Sequence, residues 1–239
     1  MNGLLKLISG EIRRLVRYKI LPVSLATTVL WVVLLWFLSP AEAVQIAPLL
    51  IFVDAAVMAI LLLGASHHLE KQEGTIRSMM VMPVTPGQIL AAKTVASMIL
   101  ALESAVVTSA ALFFIHSVAF NYGILLVFVA AAAVSHAAIG FVLSLRSRDF
   151  TTMLAALLGY MFVFTIPSVL FSLGAIDSKY EWLLMLSPSH AASHLISSAV
   201  KGEYSAAKAA IGCLYLAALS VVLFKQVVCP AFKANAVKG

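Results

Sequence analysis

Three ionisable side chains lie inside long apolar runs of the sequence. Asp54, Glu103 and His136 are each flanked on both sides by apolar and small residues. Burying a charge at the centre of a bilayer costs about 2.5–3.5 kcal/mol on insertion scales, so such residues face protein or water and are candidates for function by default. They could contact a substrate, relay protons or hold neighbouring helices together. We expect them to line a translocation path or to form an intramembrane polar site.

Two of these residues, Glu103 and His136, are predicted to lie at equal depth. A short link near Ala119 joins the two apolar runs, and runs joined so closely pack as an antiparallel pair. Each residue is about sixteen to seventeen positions from that link, at a rise of about 1.5 Å per residue. The sequence predicts a hydrogen bond between them. A proton-linked or substrate-contacting role is the second interpretation, and no contact is the third, because depth does not fix helix rotation.

A polar stretch interrupts the apolar sequence between Leu69 and Lys93. Gly74 is a break point within it, and Pro83 and Pro86 end its second half. The pattern predicts a short surface helix whose methionines offer flexible apolar side chains to a partner. A solvated loop with an incidental helical turn is the alternative. The residues expected to couple this stretch to a partner are Glu70, Glu73, Gly74, Thr75, Arg77, Met79 and Met80.

A second histidine-bearing segment, LSPSHAASHLISSAV, is amphipathic but too short to cross a membrane. It contains Pro188, His190 and His194, and we expect it to be a re-entrant or interfacial gate segment on the outer side. His190 and His194 are four residues apart and could share a helical face, but two ligands do not complete a zinc site. We expect no metal and no other cofactor in this chain.

Two enzyme classes are disfavoured by the sequence. Gly64 to His67 superficially resembles a serine-nucleophile motif, but a nucleophile needs a base within hydrogen-bond reach. Ser66 is predicted at the inner end of its helix, whereas His116 lies at an outer end and His136 lies within the membrane on another helix. The sequence also contains no G-x-x-x-x-G-K-[ST] motif. We therefore expect that the chain is not an enzyme.

The composition indicates the class of protein and the type of secondary structure that hold these residues in place. The chain of 239 residues is 62% hydrophobic and 11% charged, whereas soluble domains carry about 25% charged residues. It is therefore predicted to be an integral membrane protein, and its long continuous apolar runs indicate helices rather than a barrel. The net charge of +6 follows from membrane topology and does not indicate binding to nucleic acid.

Six spans are predicted, at about 20–38, 47–66, 89–116, 122–145, 151–173 and 207–228. Basic residues concentrate on one side, which the positive-inside rule assigns to the cytoplasm together with both termini. Residues 1–19 are amphipathic and basic, as in an interfacial helix, and the run that follows is too long for a signal peptide. The whole chain, 1–239, is read as one transmembrane domain, with a cytoplasmic segment at 67–88 and an outer segment at 174–206.

The polar stretch resembles the first coupling helix of type-2 ABC exporter permeases. The resemblance rests on E-x-x-x-G-T at Glu70 to Thr75, on the prolines that follow, on Ala92-Lys93 and on Ser187-Pro188. Small fluoroquinolone-export permeases are similar in more detail, through Val53-Asp54, EKQEGTI at residues 70–76 and LAAK at residues 90–93.

The resemblance implies a permease subunit in the cell membrane that exports an amphipathic or hydrophobic substrate, such as a drug. It further implies a separate nucleotide-binding ATPase subunit, which would hold ATP and Mg²⁺, and a second permease subunit, identical or not. The alternative is an ion-coupled secondary transporter that uses Asp54, Glu103 and His136.

Overall fold

The computed structural model describes residues 3–81, 83–202 and 205–238, and at Arg77, Met80 and 236–238 it describes the backbone alone. The described chain is built from helices. In chain order these are α1 (Gly3–Arg17), α2 (Ile20–Trp36), α3 (Pro40–Gln72), α4 (Thr75–Met80), α5 (Pro86–His116), α6 (Tyr122–Arg146), α7 (Phe150–Ser172), α8 (Glu181–Leu184), α9 (Pro188–Lys201), α10 (Ala206–Leu223) and α11 (Cys229–Lys238).

The number of membrane spans follows from helix length and composition. Among the described residues, five helical stretches are long and apolar enough to cross a membrane: α3, α5, α6, α7 and the stretch that begins with α10. α2 has 17 residues, the lower limit for a span, and it is bent by 68° from α1. Counting α2 gives six spans. The prediction of an all-α integral membrane protein is confirmed.

α3 begins earlier than the sequence suggested, at Pro40 rather than near residue 47. Ser39 and Glu42 form a reciprocal cap, in which the Ser39 side chain accepts from the Glu42 N–H and the Glu42 carboxylate accepts from the Ser39 N–H. Pro40 at the first helical position has no N–H to leave unpaired. A stretch that reads as a loop is therefore the first turn of a span.

α6 lies at the centre of the bundle and packs against α3, α5, α9 and α10. Alanine pairs on α3 and α6, Ala55-Ala56 and Ala132-Ala133, are fully buried at these contacts. Small residues let helices approach closely within a membrane. At Gly140 the approach favours glycine, because a Cβ would lie 3.2 Å from the Ile60 Cα, closer than ordinary van der Waals contact.

The described chain has three π-helical turns. They lie at Val53–Met58 within α3, at Met161–Thr165 within α7 and at Phe224–Val228, where the turn joins α10 to α11. The second is followed by Pro167 and the third by Pro230, and a proline displaces the carbonyl four residues before it. No proline follows the first π turn, which contains Asp54. Such turns occur frequently at functional sites.

One end of the bundle, here called the basic end, carries α1, the connection from α3 to α5, the turn from α6 to α7, and α11. α1 lies across this end against α5, and its Leu15 packs with Leu62 and Leu100. The sharp turn into α2 uses Lys19 in the left-handed region, at φ 58°. α9 reaches the bundle away from this end; eleven of its fourteen residues are buried.

Candidate functional site

Four charged side chains form a compact group at the basic end, which we call the ion cluster: Glu11 and Arg14 from α1, Glu70 from α3 and Lys93 from α5. The Lys93 Nζ lies 2.5 Å from Glu70 Oε1 and 3.1 Å from Glu11 Oε2. Arg14 Nη1 lies 3.0 Å from Glu11 Oε1 and 3.2 Å from Glu70 Oε1. The two cations balance the two carboxylates, so the cluster as a whole is neutral.

The ion cluster is buried. Glu70 is 0% exposed, Glu11 3% and Lys93 6%, and burial raises the pKa of Glu11 even though the nearby lysine opposes the shift. The position of Lys93 near a helix end suggests that its side chain extends to the membrane surface. It does not do so, because α1 covers it. Glu70 offers no surface to a partner, so any part it has in coupling would act through the ion cluster.

The connection between α3 and α5, residues 73–85, is attached to α1 as well. Gly74 is in the left-handed region at φ 69° and starts α4, where a side chain would be strained. The Tyr18 hydroxyl donates to Glu73 Oε2 at 2.5 Å, and burial together with this carboxylate raises the pKa of Tyr18 to about 12. The connection and the interfacial helix are thus linked side chain to side chain.

The methionines of α4 were expected to contact a partner, but Met79 points inward. It is 1% exposed, and its Sδ lies 3.3 Å from Arg14 Nη1. Thr75 hydrogen-bonds to Glu73 within the connection. The side chains of Arg77 and Met80 lie outside the described residues. Among the described residues of the connection, the most exposed large apolar side chain is Val81, at 86%, which the sequence analysis did not single out.

A second polar group lies within the membrane, where α3 meets α5. Asp54 sits in the π turn of α3, is 7% exposed, and accepts a hydrogen bond on Oδ2 from Ser104. Its Oδ1 has no partner among the described residues. Glu103 precedes Ser104 on α5, and neither of its carboxylate oxygens has a hydrogen-bond partner in the described part of the chain. Neither acid is paired with a cation among the described residues.

A third polar group joins α6, α7 and α9. His136 is fully buried, and its Nε2 lies 3.2 Å from the Tyr160 hydroxyl. The same hydroxyl is 2.8 Å from Ser189 Oγ, which also lies 3.1 Å from Thr165 Oγ1 in the π turn of α7. This chain of hydrogen bonds ties the short helix α9 to two spans. Sequence reasoning missed Tyr160, Thr165 and Ser189, since hydroxyl residues are common throughout the spans.

The predicted hydrogen bond between Glu103 and His136 is absent from the structure. The Nδ1 of His136 lies 2.8 Å from the Ala132 carbonyl of its own helix and its Nε2 points to Tyr160 of α7, whereas both carboxylate oxygens of Glu103 are without a partner among the described residues. α5 and α6 do pack as neighbours. The error is one of rotation about the helix axis, which residue depth does not determine.

Replacing Tyr160 by phenylalanine is expected to lower the free energy of unfolding by about 1–3 kcal/mol. The change removes one hydroxyl and leaves His136 Nε2 without the partner it has in the structure, while the ring still fills its site. Thermal unfolding of the detergent-solubilised protein measures the effect. Tyr180→Phe, at a side chain that is 46% exposed, should change nothing, and equal effects of the two variants would contradict the network.

The outer segment presents its histidines to different surroundings. Ser187 caps α9 by accepting from the His190 N–H, with Pro188 at the next position. His190 is 2% exposed and its Nδ1 lies 3.4 Å from Ser168 Oγ of α7, whereas His194 is partly buried. The two rings are 6.3 Å apart. No group of three potential metal ligands occurs among the described residues.

Comparison with known proteins gives one match. The model of a family described as ABC-2 family transporter protein matches residues 40–225. This range includes α3, both intramembrane polar groups, the α3–α5 connection and α9, and it leaves α1 outside. No curated protein matches the chain.

Proposed function

Because the chain belongs to the ABC-2 family of transporter proteins, we propose that it is the permease subunit of an exporter for amphipathic or hydrophobic substrates, drugs among them. The family supplies the membrane component of ABC transporters, which is not itself catalytic and works with an ATP-binding subunit. In this proposal ATP and Mg²⁺ are held by that separate subunit. The observation that carries the proposal is the α3–α5 connection, a polar segment that joins two spans at the basic end of the bundle.

The connection is suited to transmit a conformational change of the ATP-binding subunit to the membrane helices. It is exposed at Val81, and it is attached through Tyr18 and Glu73 to α1. α1, α3 and α5 are in turn held together by the buried ion cluster. A displacement of the connection would therefore move three helices as one body rather than bend a loop.

A second permease subunit is proposed to cover part of the outward surface. In their most apolar 18 residues, α7 and the stretch that begins with α10 bury only 17% each within this chain, whereas α3 buries 72%. Their exposed faces carry large apolar side chains, for example Phe162 at 71% and Leu214 at 69%. Such faces suit lipid or another apolar protein surface, and two subunits would enclose the substrate path between them.

The ion-coupled alternative has one observation in its favour, the pair of carboxylates Asp54 and Glu103, for which the described residues provide no cation. Inside-out vesicles that contain the permease together with its ATP-binding subunit separate the two mechanisms. The exporter is expected to accumulate substrate on addition of ATP in the presence of a protonophore. Uptake that depends on the proton gradient and not on ATP would refute the ABC mechanism.

Asp54→Asn is expected to reduce ATP-driven export about tenfold or more while leaving Tm unchanged. The amide keeps the shape of the side chain and can still accept from Ser104, but it removes the charge beside Glu103. If Asp54 lines the path, the loss of charge changes how a substrate is bound there, by about the energy of one charged contact. Full export by the variant would show that the charge has no transport role, and Asp177→Asn at an exposed site serves as the control.

A further inference from the structure

A cavity of about 350 Å³ opens at the basic end, between the last turns of α3 and α6, the α3–α5 connection and α11. Its walls include His67 and Lys71 from α3, Ile76 from the connection, Ser144 from α6 and Phe232 and Asn235 from α11. The volume lies within the range of small-ligand sites, about 300–1,000 Å³. The transport mechanism proposed above does not use this cavity.

Two buried polar atoms in the walls lack partners. His67 is 4% exposed and its Nδ1 has no hydrogen bond within the described structure; Ser144 is 1% exposed and its Oγ has none either. Buried polar groups are nearly always paired, and leaving them unpaired is costly. A ligand with hydrogen-bonding oxygens would satisfy groups that the described protein leaves open.

The charge of the cavity favours an anion. Lys71 is the one formally charged residue among the described lining residues, and none of them is a carboxylate. Its Nζ donates to the Arg148 carbonyl at 3.3 Å, which fixes the ammonium at the rim and leaves its other N–H groups free to donate. His67 can add a further donor. Serine and lysine donors in the walls of one cavity suit phosphate oxygens, and the Asn235 amide, which donates to the Leu145 carbonyl at 3.0 Å, has a second N–H to offer.

The opposite wall of the cavity is apolar, formed by Ile76, Leu145 and Phe232. A ligand that satisfies both walls is amphipathic, with an anionic head and a hydrocarbon part. The basic end is the predicted cytoplasmic side, where the headgroups of the inner leaflet lie, and basic pockets between helices on that side bind anionic headgroups. We propose that this cavity binds the phosphate headgroup of an anionic phospholipid, which contacts α11 and the α3–α5 connection at the same time.

Lipid binding to the full-length permease, purified in a zwitterionic detergent, tests the proposal by native mass spectrometry. Dioleoyl phosphatidylglycerol is expected to bind about tenfold or more tightly than phosphatidylcholine with the same acyl chains. Lys71→Gln should weaken phosphatidylglycerol binding by about tenfold, the effect of removing one charged contact. Lys71 is exposed, so this variant should fold normally, as a thermal unfolding curve will show.

Two further variants distinguish the cavity from general attraction to a basic surface. Lys6→Gln removes the same charge from an exposed site on α1 and should not change binding. Ser144→Leu fills the cavity without a change of charge and should weaken binding as much as Lys71→Gln. Equal effects of Lys6→Gln and Lys71→Gln, or full binding by Ser144→Leu, would overturn the proposal. Tight binding of glycerol 3-phosphate alone would assign the cavity to a free phosphate ester and overturn its assignment to a lipid.

Discussion

Replacement of Lys93 by methionine is expected to lower the free energy of unfolding by about 3–5 kcal/mol, as is typical when a buried ion pair loses one partner. The Lys93 Nζ is within 3.1 Å of both buried carboxylates, Glu11 and Glu70. Methionine keeps a similar volume but leaves these two acids opposite Arg14 alone, so one negative charge remains uncompensated. Thermal unfolding of the detergent-solubilised protein, compared at equal lipid content, measures the loss.

The pH dependence of this loss identifies its cause. Protonation of the two carboxyl groups at low pH removes the charge that lysine balances, so the difference between Lys93→Met and the parent protein should shrink as the pH falls. A deficit that is independent of pH would indicate lost packing and contradict the electrostatic explanation. Lys179→Met is the control: Lys179 pairs with Asp177 at 3.7 Å, with both side chains more than half exposed, and such pairs contribute little.

Val81→Asp is expected to reduce ATP-driven transport about tenfold or more without a change in Tm. Val81 is the most exposed large apolar side chain among the described residues of the α3–α5 connection, at 86%, and an apolar anchor at the centre of an interface can supply more than 1 kcal/mol of binding. A carboxylate there would be desolvated on docking. Transport and ATP hydrolysis measured in the same vesicles should show that hydrolysis no longer drives export.

Leu186→Asp is the matched control for that prediction, since Leu186 is also exposed, at 67%, but lies in the segment between α8 and α9. It should leave the coupling of hydrolysis to transport intact. Normal coupling in Val81→Asp would place the docking surface elsewhere on the basic end. Met79→Asp is a poor test of docking, because Met79 is buried against Arg14 and an acid there would alter the folded core.

The existence and order of the spans could be predicted from the sequence, because each is a long apolar run ended by breakers or charges. The short helix in the α3–α5 connection could be predicted for the same reason, from Gly74 on one side and Pro83 on the other. The capping box at Ser39 and Glu42 was readable in principle, since serine followed three residues later by glutamate is a known helix start. Local chemistry of this kind is encoded within a few neighbouring residues.

The contacts between helices could not be predicted in the same way. The predicted hydrogen bond between Glu103 and His136 was wrong, because two residues at equal depth can lie on helix faces that do not meet. The ion cluster depends on where α1 lies, and nothing in the α1 sequence states that Glu11, an acid among basic residues, will meet Lys93 some eighty positions later. Tertiary placement decides such pairs, and one sequence carries little information about it.

The π turns also change which face of a helix a given residue occupies, and this change is not visible in the apolar pattern of the sequence. Each π turn holds one residue more than the α-helical turn that it replaces, and one residue corresponds to about 100° of rotation around the helix axis. The two halves of α3, before Val53 and after Met58, therefore follow separate helical phases. In an alignment with relatives, we expect single-residue gaps at these three turns, where a relative has an α-helical turn instead. A gap at the first turn would mark a protein in which the carboxylate of Asp54 no longer faces α5.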